Sequence, residues 1–341
     1  MEEARLLVDP LGQDDLPTIH QLAGSVSWRT TPRLMGELVD VGLGGGWSRR
    51  MFPLHDYTLG RYIGEDIRNA KAVGIQTWLT VVGTPLQFSP YPDRLNNEYG
   101  TGLPEFARYL PTDPLAWTDW LLNYLNDMWN TYGVLPDRIE IWNEIERPEW
   151  YAETLTQYVE FYAIVAARIR EVYPEIQLGG PGLAGWRSAM GGVENALLTM
   201  VRSAALSHAP LDFVSWHHYG PGTELRFSQI VAQLDMLGAA LEMPPFDTVV
   251  SEWNIAPSAE GAIGPEFDGS HAAANLATFY STAARQGLDY NLFFLDWDED
   301  NDSGITDLSG VSLGAITKHG IRKPVAHVMR SFLESAAWTP V

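Results

Sequence analysis

Short β-branched runs alternate with longer apolar stretches of helical spacing along most of this chain. Ile63, Ile67, Ala70 and Val73 recur at helical spacing, and Gly74 stops the helix. Residues 75–82 then read as a strand. Asp113-Pro114 opens a helix with a cap and a first-turn proline. That helix carries Trp117, Trp120, Leu121, Tyr124, Leu125 and Met128 on one face, and Gly133 ends it. Leu155, Val159, Tyr162, Ala166, Ile169 and Tyr173 mark the next helix. Strands read at 19–28, 39–47, 176–178, 213–216 and 290–297, with further helices at 194–207, 225–241, 272–285 and from Lys323-Pro324 to about 333. Strict alternation of strand and helix predicts a parallel sheet, and eight such units fit a single α/β (β/α)8 TIM barrel. Its predicted extent is 18–341, after an irregular lead-in over 1–17 that Pro10, Gly12 and Pro17 break. No internal sequence repeat or linker is visible. The loop from Pro85 to Pro111 is long, aromatic and rich in Pro and Gly, which places it over the active-site face.

Two strands end alike. Arg138-Ile139-Glu140-Ile141 runs into Trp142-Asn143-Glu144, and Thr248-Val249-Val250-Ser251 runs into Glu252-Trp253-Asn254. One carboxylate at the end of a buried strand can be a simple ion pair. Two, each beside an aromatic, suit glycosidic bond cleavage: one carboxyl protonates the leaving oxygen while the other, ionised, attacks the sugar. Period-two alternation puts Glu140, Trp142 and Glu144 on one face, with Glu144 at the tip and Glu140 deeper as an internal ion pair.

These motifs, with Asp212-Phe-Val-Ser-Trp-His-His-Tyr-Gly220 between them, resemble clan A glycoside hydrolases, and among these family 39, the β-xylosidase and α-L-iduronidase family. The closing stretch from Gly320 to Phe332 is similar to that family's end. The resemblance covers the chain from about Gln76 onward and its first 70 or so residues poorly. It implies Glu144 as acid/base, Glu252 as nucleophile and a retaining double displacement. It also implies that Asn143 binds the hydroxyl next to the reacting carbon. His217 and Tyr219 match the family's His-x-Tyr, and Tyr219 is placed to donate to Glu252. Trp297, ending strand eight, falls where the clan sets an aromatic under the sugar. Arg49 falls where the family places an arginine followed by a histidine; here Arg50 follows instead. Another departure is Ile145, where proline usually follows Trp-Asn-Glu. Strands four and seven are expected to face each other across the mouth of so narrow a barrel, which puts the two carboxyls about 5 Å apart, the retaining separation. The first-guess activity is β-xylosidase-like. An α-L-arabinofuranosidase or other clan A specificity is the same-class alternative, and a barrel that binds carbohydrate without catalysis is the alternative of another class. The fold is expected to end at the eighth helix, without an appended β-sandwich.

Charge narrows the partners. The formal net charge of −21 argues against nucleic acid and anionic membranes. There are no cysteines, so disulfides and thiolate metal sites are excluded. Asp296, Asp298, Asp300, Asp302 and Asp307 partly follow a calcium-loop spacing, but Asn301 stands where glycine belongs. The reading therefore requires no metal and no cofactor. The expected partner is an oligosaccharide or glycoside. Oligomeric state stays open, as does location: cytoplasmic, or exported by a signal not in this sequence.

Overall fold

Eight strands, all parallel, close on one another in chain order. A computed structural model describes residues 23–27, 46–56, 60–99, 102–184, 193–220, 227–255, 269–294, 314–316 and 321–335. The lead-in over 1–17, Gly44-Gly45, Trp297 and the acidic stretch 296–307 lie outside them. The strands are β1 Ala23–Ser27, β2 Trp47–Pro53, β3 Gln76–Val82, β4 Arg138–Ile141, β5 Gln177–Leu183, β6 Phe213–Tyr219, β7 Asp247–Asn254 and β8 Tyr290–Phe293. Pairing of β1 with β8, Ala23 against Asn291, completes the ring. The described helices are α1 Gly60–Ala72, α2 Pro114–Tyr132, α3 Leu155–Val172, α4 Val193–Ser207, α5 Phe227–Ala240, α6 Ser270–Arg285 and α7 Pro324–Ser335. The barrel expected from the alternating pattern is the barrel observed.

Local chemistry starts and stops the helices. The Asp113 carboxylate accepts from the backbone N–H groups of Leu115 and Ala116 at the start of α2, and Gly133 ends it in the left-handed region at φ 71°. Thr154 and Gln157 form a reciprocal capping box on α3. The apolar faces expected for these two helices are largely buried: Trp117, Leu121, Tyr124, Leu125 and Met128 on α2, and Val159, Tyr162, Ala166 and Ile169 on α3.

At the strand starts, one arrangement recurs. The residue just before β4, β6 and β8 is an aspartate, and each grips the second residue of the preceding strand. Asp137 accepts from the Thr77 N–H at 2.7 Å and donates its own N–H to the Thr77 carbonyl at 2.9 Å. Asp212 does the same with Leu178, at 2.7 and 2.8 Å. Asp289 does it with Thr248, at 2.7 and 3.1 Å. Before β2 the corresponding residue is Gly46.

The interior is stacked by chemistry. Its lower end is aromatic: Trp47, Trp78 and Phe213 pack with Val249 and Leu292. The Arg138 guanidinium sits among them, 4.4 Å from the Trp47 ring and 4.3 Å from that of Tyr290, and pairs with Asp247 at 2.5 Å. Above this plug the lining turns polar, as described below.

Four expectations need correction. The second strand is Trp47–Pro53, not 39–47, because Arg49 and Arg50 are strand residues whose charges are buried inside the protein. The fifth strand runs through the glycines to Leu183 instead of stopping at Leu178. A Cβ on Gly179 would lie 2.1 Å from the Phe213 carbonyl oxygen, so glycine permits the close β5–β6 approach rather than ending the strand. Gly179→Ala is expected to destabilise the fold by about 1–3 kcal/mol in urea unfolding. The sixth strand reaches Tyr219, three residues past the expected end, and so carries His217 and Tyr219. Finally, Trp142 does not share a face with Glu140. Its φ of 76° breaks the alternation just after β4. Its ring packs outward on Phe161 and Tyr151, and its indole N–H donates to the Trp150 carbonyl at 3.0 Å.

Candidate active site

The polar layer above the plug centres on Arg49. It lies on β2, is fully buried, and points into the barrel. Its Nε donates to Glu140 Oε2 at 2.8 Å, its Nη1 to Glu252 Oε1 at 2.6 Å, and its Nη2 to Asn143 Oδ1 at 2.8 Å. Glu140, on β4, also accepts from Thr80 of β3 at 2.7 Å and from Ser215 of β6 at 2.6 Å. Glu140 is thus the internal ion pair expected, with donors from three other strands, β2, β3 and β6.

Glu144 and Glu252 lie one level higher. Glu252 ends the inward run of β7. Glu144 stands just past β4, where the backbone has turned: its φ is 48°, in the left-handed region that non-glycine residues rarely adopt. Its N–H is held by the Gly182 carbonyl at 3.0 Å, and the Gly182 N–H is held by Ser215 Oγ at 3.0 Å. Strained backbone of this kind costs about 1–3 kcal/mol and persists where surrounding bonds over-determine it.

His217 Nδ1 sits between the glutamates, 2.9 Å from Glu144 Oε1 and 3.5 Å from Glu252 Oε2. The Tyr219 hydroxyl donates to Glu252 Oε2 at 2.5 Å. One ligand atom each of Glu144, His217 and Glu252 lies within 4.8 Å of the others. Such a trio can hold a metal ion in principle. Here Arg49 and Tyr219 already engage both oxygens of Glu252, and the Arg49 cation supplies the positive charge a metal would bring.

Electrostatics favour the ionised form of Glu252. Burial pushes the Glu252 carboxyl up, but His217, Arg49 and the Tyr219 hydrogen bond outweigh it and hold Glu252 below its ordinary value. Burial pushes His217 down; Glu252 and Glu144 outweigh that and raise it. Tyr219 is raised well above the ordinary tyrosine value by burial and by Glu252, so it remains a proton donor.

Of the residues singled out from sequence, Glu144, Glu252, Asn143, His217, Tyr219 and Arg49 converge here; Trp297 lies outside the described residues. His218 stacks outside the barrel on Phe279, as does Trp253, whose ring centroid is 4.3 Å from that of Phe279. Sequence reasoning missed Thr80 and Ser215, whose only signal was a polar residue at alternate positions of a buried strand. It also missed Arg147, whose guanidinium lies 3.7 Å from Glu144 Oε2.

Residues 112–258, which include both glutamates, Asn143, His217 and Tyr219, match the family model for glycosyl hydrolases family 39. That stretch resembles the family over somewhat less than half of the chain. It is 25% identical over 248 residues to a β-xylosidase of Geobacillus stearothermophilus, covering 65% of this chain and 46% of that protein. It is 24% identical over 167 residues to a β-xylosidase of Caldicellulosiruptor saccharolyticus, covering 43% of this chain and 32% of that one. The matches thus span less than half of either relative. The family 39 enzyme of Xanthomonas axonopodis pv. citri superposes with a TM-score of 0.69 at 17% identity, over 93% of this chain and 67% of that one. A monomeric β-xylosidase from Caulobacter crescentus superposes with a TM-score of 0.65 at 17% identity, over 91% and 67%. At such identities these structures establish a shared barrel fold and no more.

Proposed function

We propose that this protein is a retaining glycoside hydrolase, with β-xylosidase-like action as its first expected activity. The observation that carries the reading is the pair Glu144 and Glu252, facing across the barrel mouth with oxygens within 4.8 Å. That spacing suits direct attack by one carboxylate better than the roughly 6.5–9.5 Å that leaves room for a water. Glu252 attacks the anomeric carbon while Glu144 gives its proton to the departing glycosidic oxygen, and the carbon–oxygen bond breaks. Glu144 then takes a proton from water, whose oxygen attacks the same carbon and frees Glu252. Asn143, held by Arg49, is positioned to meet the hydroxyl beside the reacting carbon.

Family membership of the relatives supports the reaction class, and the two named β-xylosidases favour a xyloside. An α-L-arabinofuranosidase specificity remains the same-class alternative. A non-catalytic sugar-binding barrel is disfavoured, because binding alone has no use for one carboxylate held ionised by Arg49, Tyr219 and the nearby His217. A panel of aryl glycosides tests the reading: hydrolysis of the xyloside supports it, of the arabinofuranoside moves the specificity, and of none overturns the enzyme.

Two further outcomes follow from the geometry. Tyr219→Phe removes one hydrogen bond to a charged group, worth roughly 1.5–3 kcal/mol. Turnover is expected to fall about ten- to a hundredfold with the fold intact, and an unchanged rate excludes Tyr219 from the chemistry. Because Glu252 is held below its ordinary value of 4.5, it stays ionised as pH falls to that point. The acid limb of kcat/KM is therefore expected below pH 4.5 in the native enzyme, and at higher pH in Tyr219→Phe.

A further inference from the structure

The two oxygens of Glu144 face different surroundings. Oε1 is engaged inside the barrel by His217. Oε2 faces the rim, where Arg147 Nε lies 3.7 Å away. Arg147 is not free to close on Glu144, because Glu149 Oε1 holds its Nη2 at 2.6 Å and its Nε at 2.7 Å. The Arg147 side chain is half exposed, whereas that of Glu149 is only 14% exposed.

The rim that carries this pair is braced from the neighbouring loop. Leu103 N–H donates to the Glu149 carbonyl at 2.9 Å, and Ala152 N–H donates to the Arg108 carbonyl at 2.9 Å. Arg108 is buried and donates to the Pro148 carbonyl at 2.6 Å. Within the rim, Arg147 N–H returns to the Glu144 carbonyl at 2.9 Å, and Trp150 and Tyr151 both donate to the Arg147 carbonyl. The backbone thus braces the rim from which Arg147 and Glu149 project.

We infer that Arg147 and Glu149 are positioning residues that set the pH range over which Glu144 delivers its proton. The inference rests on the reading of Glu144 as acid/base. A cation beside Oε2 favours the ionised form, which is needed when Glu144 activates water but unhelpful when it must protonate the leaving group. Glu149 offsets that cation, so the pair holds a compromise between the two half-reactions. Among the described residues, the other charged or titratable groups around Glu144 are His217 and Tyr219 on β6, Glu252 on β7, Arg49 on β2 and Glu146 on the rim. Both substitutions leave these residues in place, and of them Glu146 also interacts with Arg147.

Opposite substitutions give opposite signs. Arg147→Met removes the cation, so Glu144 keeps its proton to higher pH. Glu149→Gln removes the offsetting charge, so Glu144 loses its proton at lower pH. Because the pair is partly exposed, changes of about two- to fivefold in proton affinity are expected. The test is carbon NMR of protein with labelled glutamate carboxyls, with the Glu144 signal identified by its loss in Glu144→Gln. Its transition is followed in the native protein and in both variants, alongside the alkaline limb of kcat/KM on an aryl glycoside. Transitions displaced in opposite directions support the inference; transitions that stay together, or move the same way, overturn it. The NMR arm is independent of turnover. Displaced transitions without hydrolysis of any glycoside would leave this coupling standing and remove the hydrolase reading. Hydrolysis with unmoved transitions would do the reverse.

Discussion

If the proposed mechanism holds, Glu252→Ala is expected to abolish turnover, with a loss on the order of 10⁴-fold or more, because among the described residues no other group on its side of the site can form the covalent intermediate. Arg49 is a permanent cation and Tyr219 holds its proton tightly, so neither substitutes as nucleophile. The space left beside Arg49 and Tyr219 suits a small anion. Added azide is therefore expected to restore part of the rate and to give a glycosyl azide of inverted configuration. Glu144→Ala should behave differently. Loss of a general acid costs about 10²–10⁴-fold on substrates whose leaving group needs a proton, and much less on activated aryl glycosides. Azide should then rescue it with retained configuration, since Glu252 still performs the first displacement. Proton NMR of the product reads both cases. Inverted product from the native enzyme would overturn the assignment of both glutamates.

Arg49→Met should be the most damaging substitution for stability. It leaves Glu140 buried without its cation, and it strips Glu252 of one. Breaking a buried pair by removing one partner costs roughly 3–5 kcal/mol. Chemical denaturation should show a loss of this size, with turnover reduced as well. Adding Glu140→Gln removes the stranded charge. The double variant is expected to regain much of the stability but little of the activity, because Glu252 and Asn143 still lack the guanidinium that orients them. If the double variant is no more stable than Arg49→Met, Glu140 does not depend on Arg49 as the geometry implies.

Much of this architecture was legible in the residues. The apolar faces of α2 and α3 gave the helices, and the two strand-end glutamates pointed to the layer where the buried polar residues converge. His217 and Tyr219 were legible as a pair because they lie two apart on one strand. What misled was the use of composition as punctuation. Gly179-Gly180-Pro181 looked like a strand end, yet the glycines mark a place where the Phe213 backbone comes too close for any side chain. Arg49-Arg50 fell beyond the expected strand 39–47, yet each lies in β2, because the cations sit where buried carboxylates await them. Such pairings join residues up to 203 positions apart, as Arg49 and Glu252 are. No local pattern announces them. Trp142 misled for another reason: a single positive φ turns a strand residue to the opposite side, and period two says nothing about when the period ends.

The aspartate grips at the strand starts carry a consequence for how such a barrel can change. Asp137, Asp212 and Asp289 tie β3 to β4, β5 to β6 and β7 to β8, each through the same two bonds at the end away from the glutamates. Strand register is thereby set below, while Glu144, Arg147 and the rim project from above. A loop lengthened or shortened at the rim pulls on residues several positions beyond these anchor points. The barrel is in this sense a vice clamped at its base: its jaws can be recut for a different sugar without loosening the grip that keeps the strands in step.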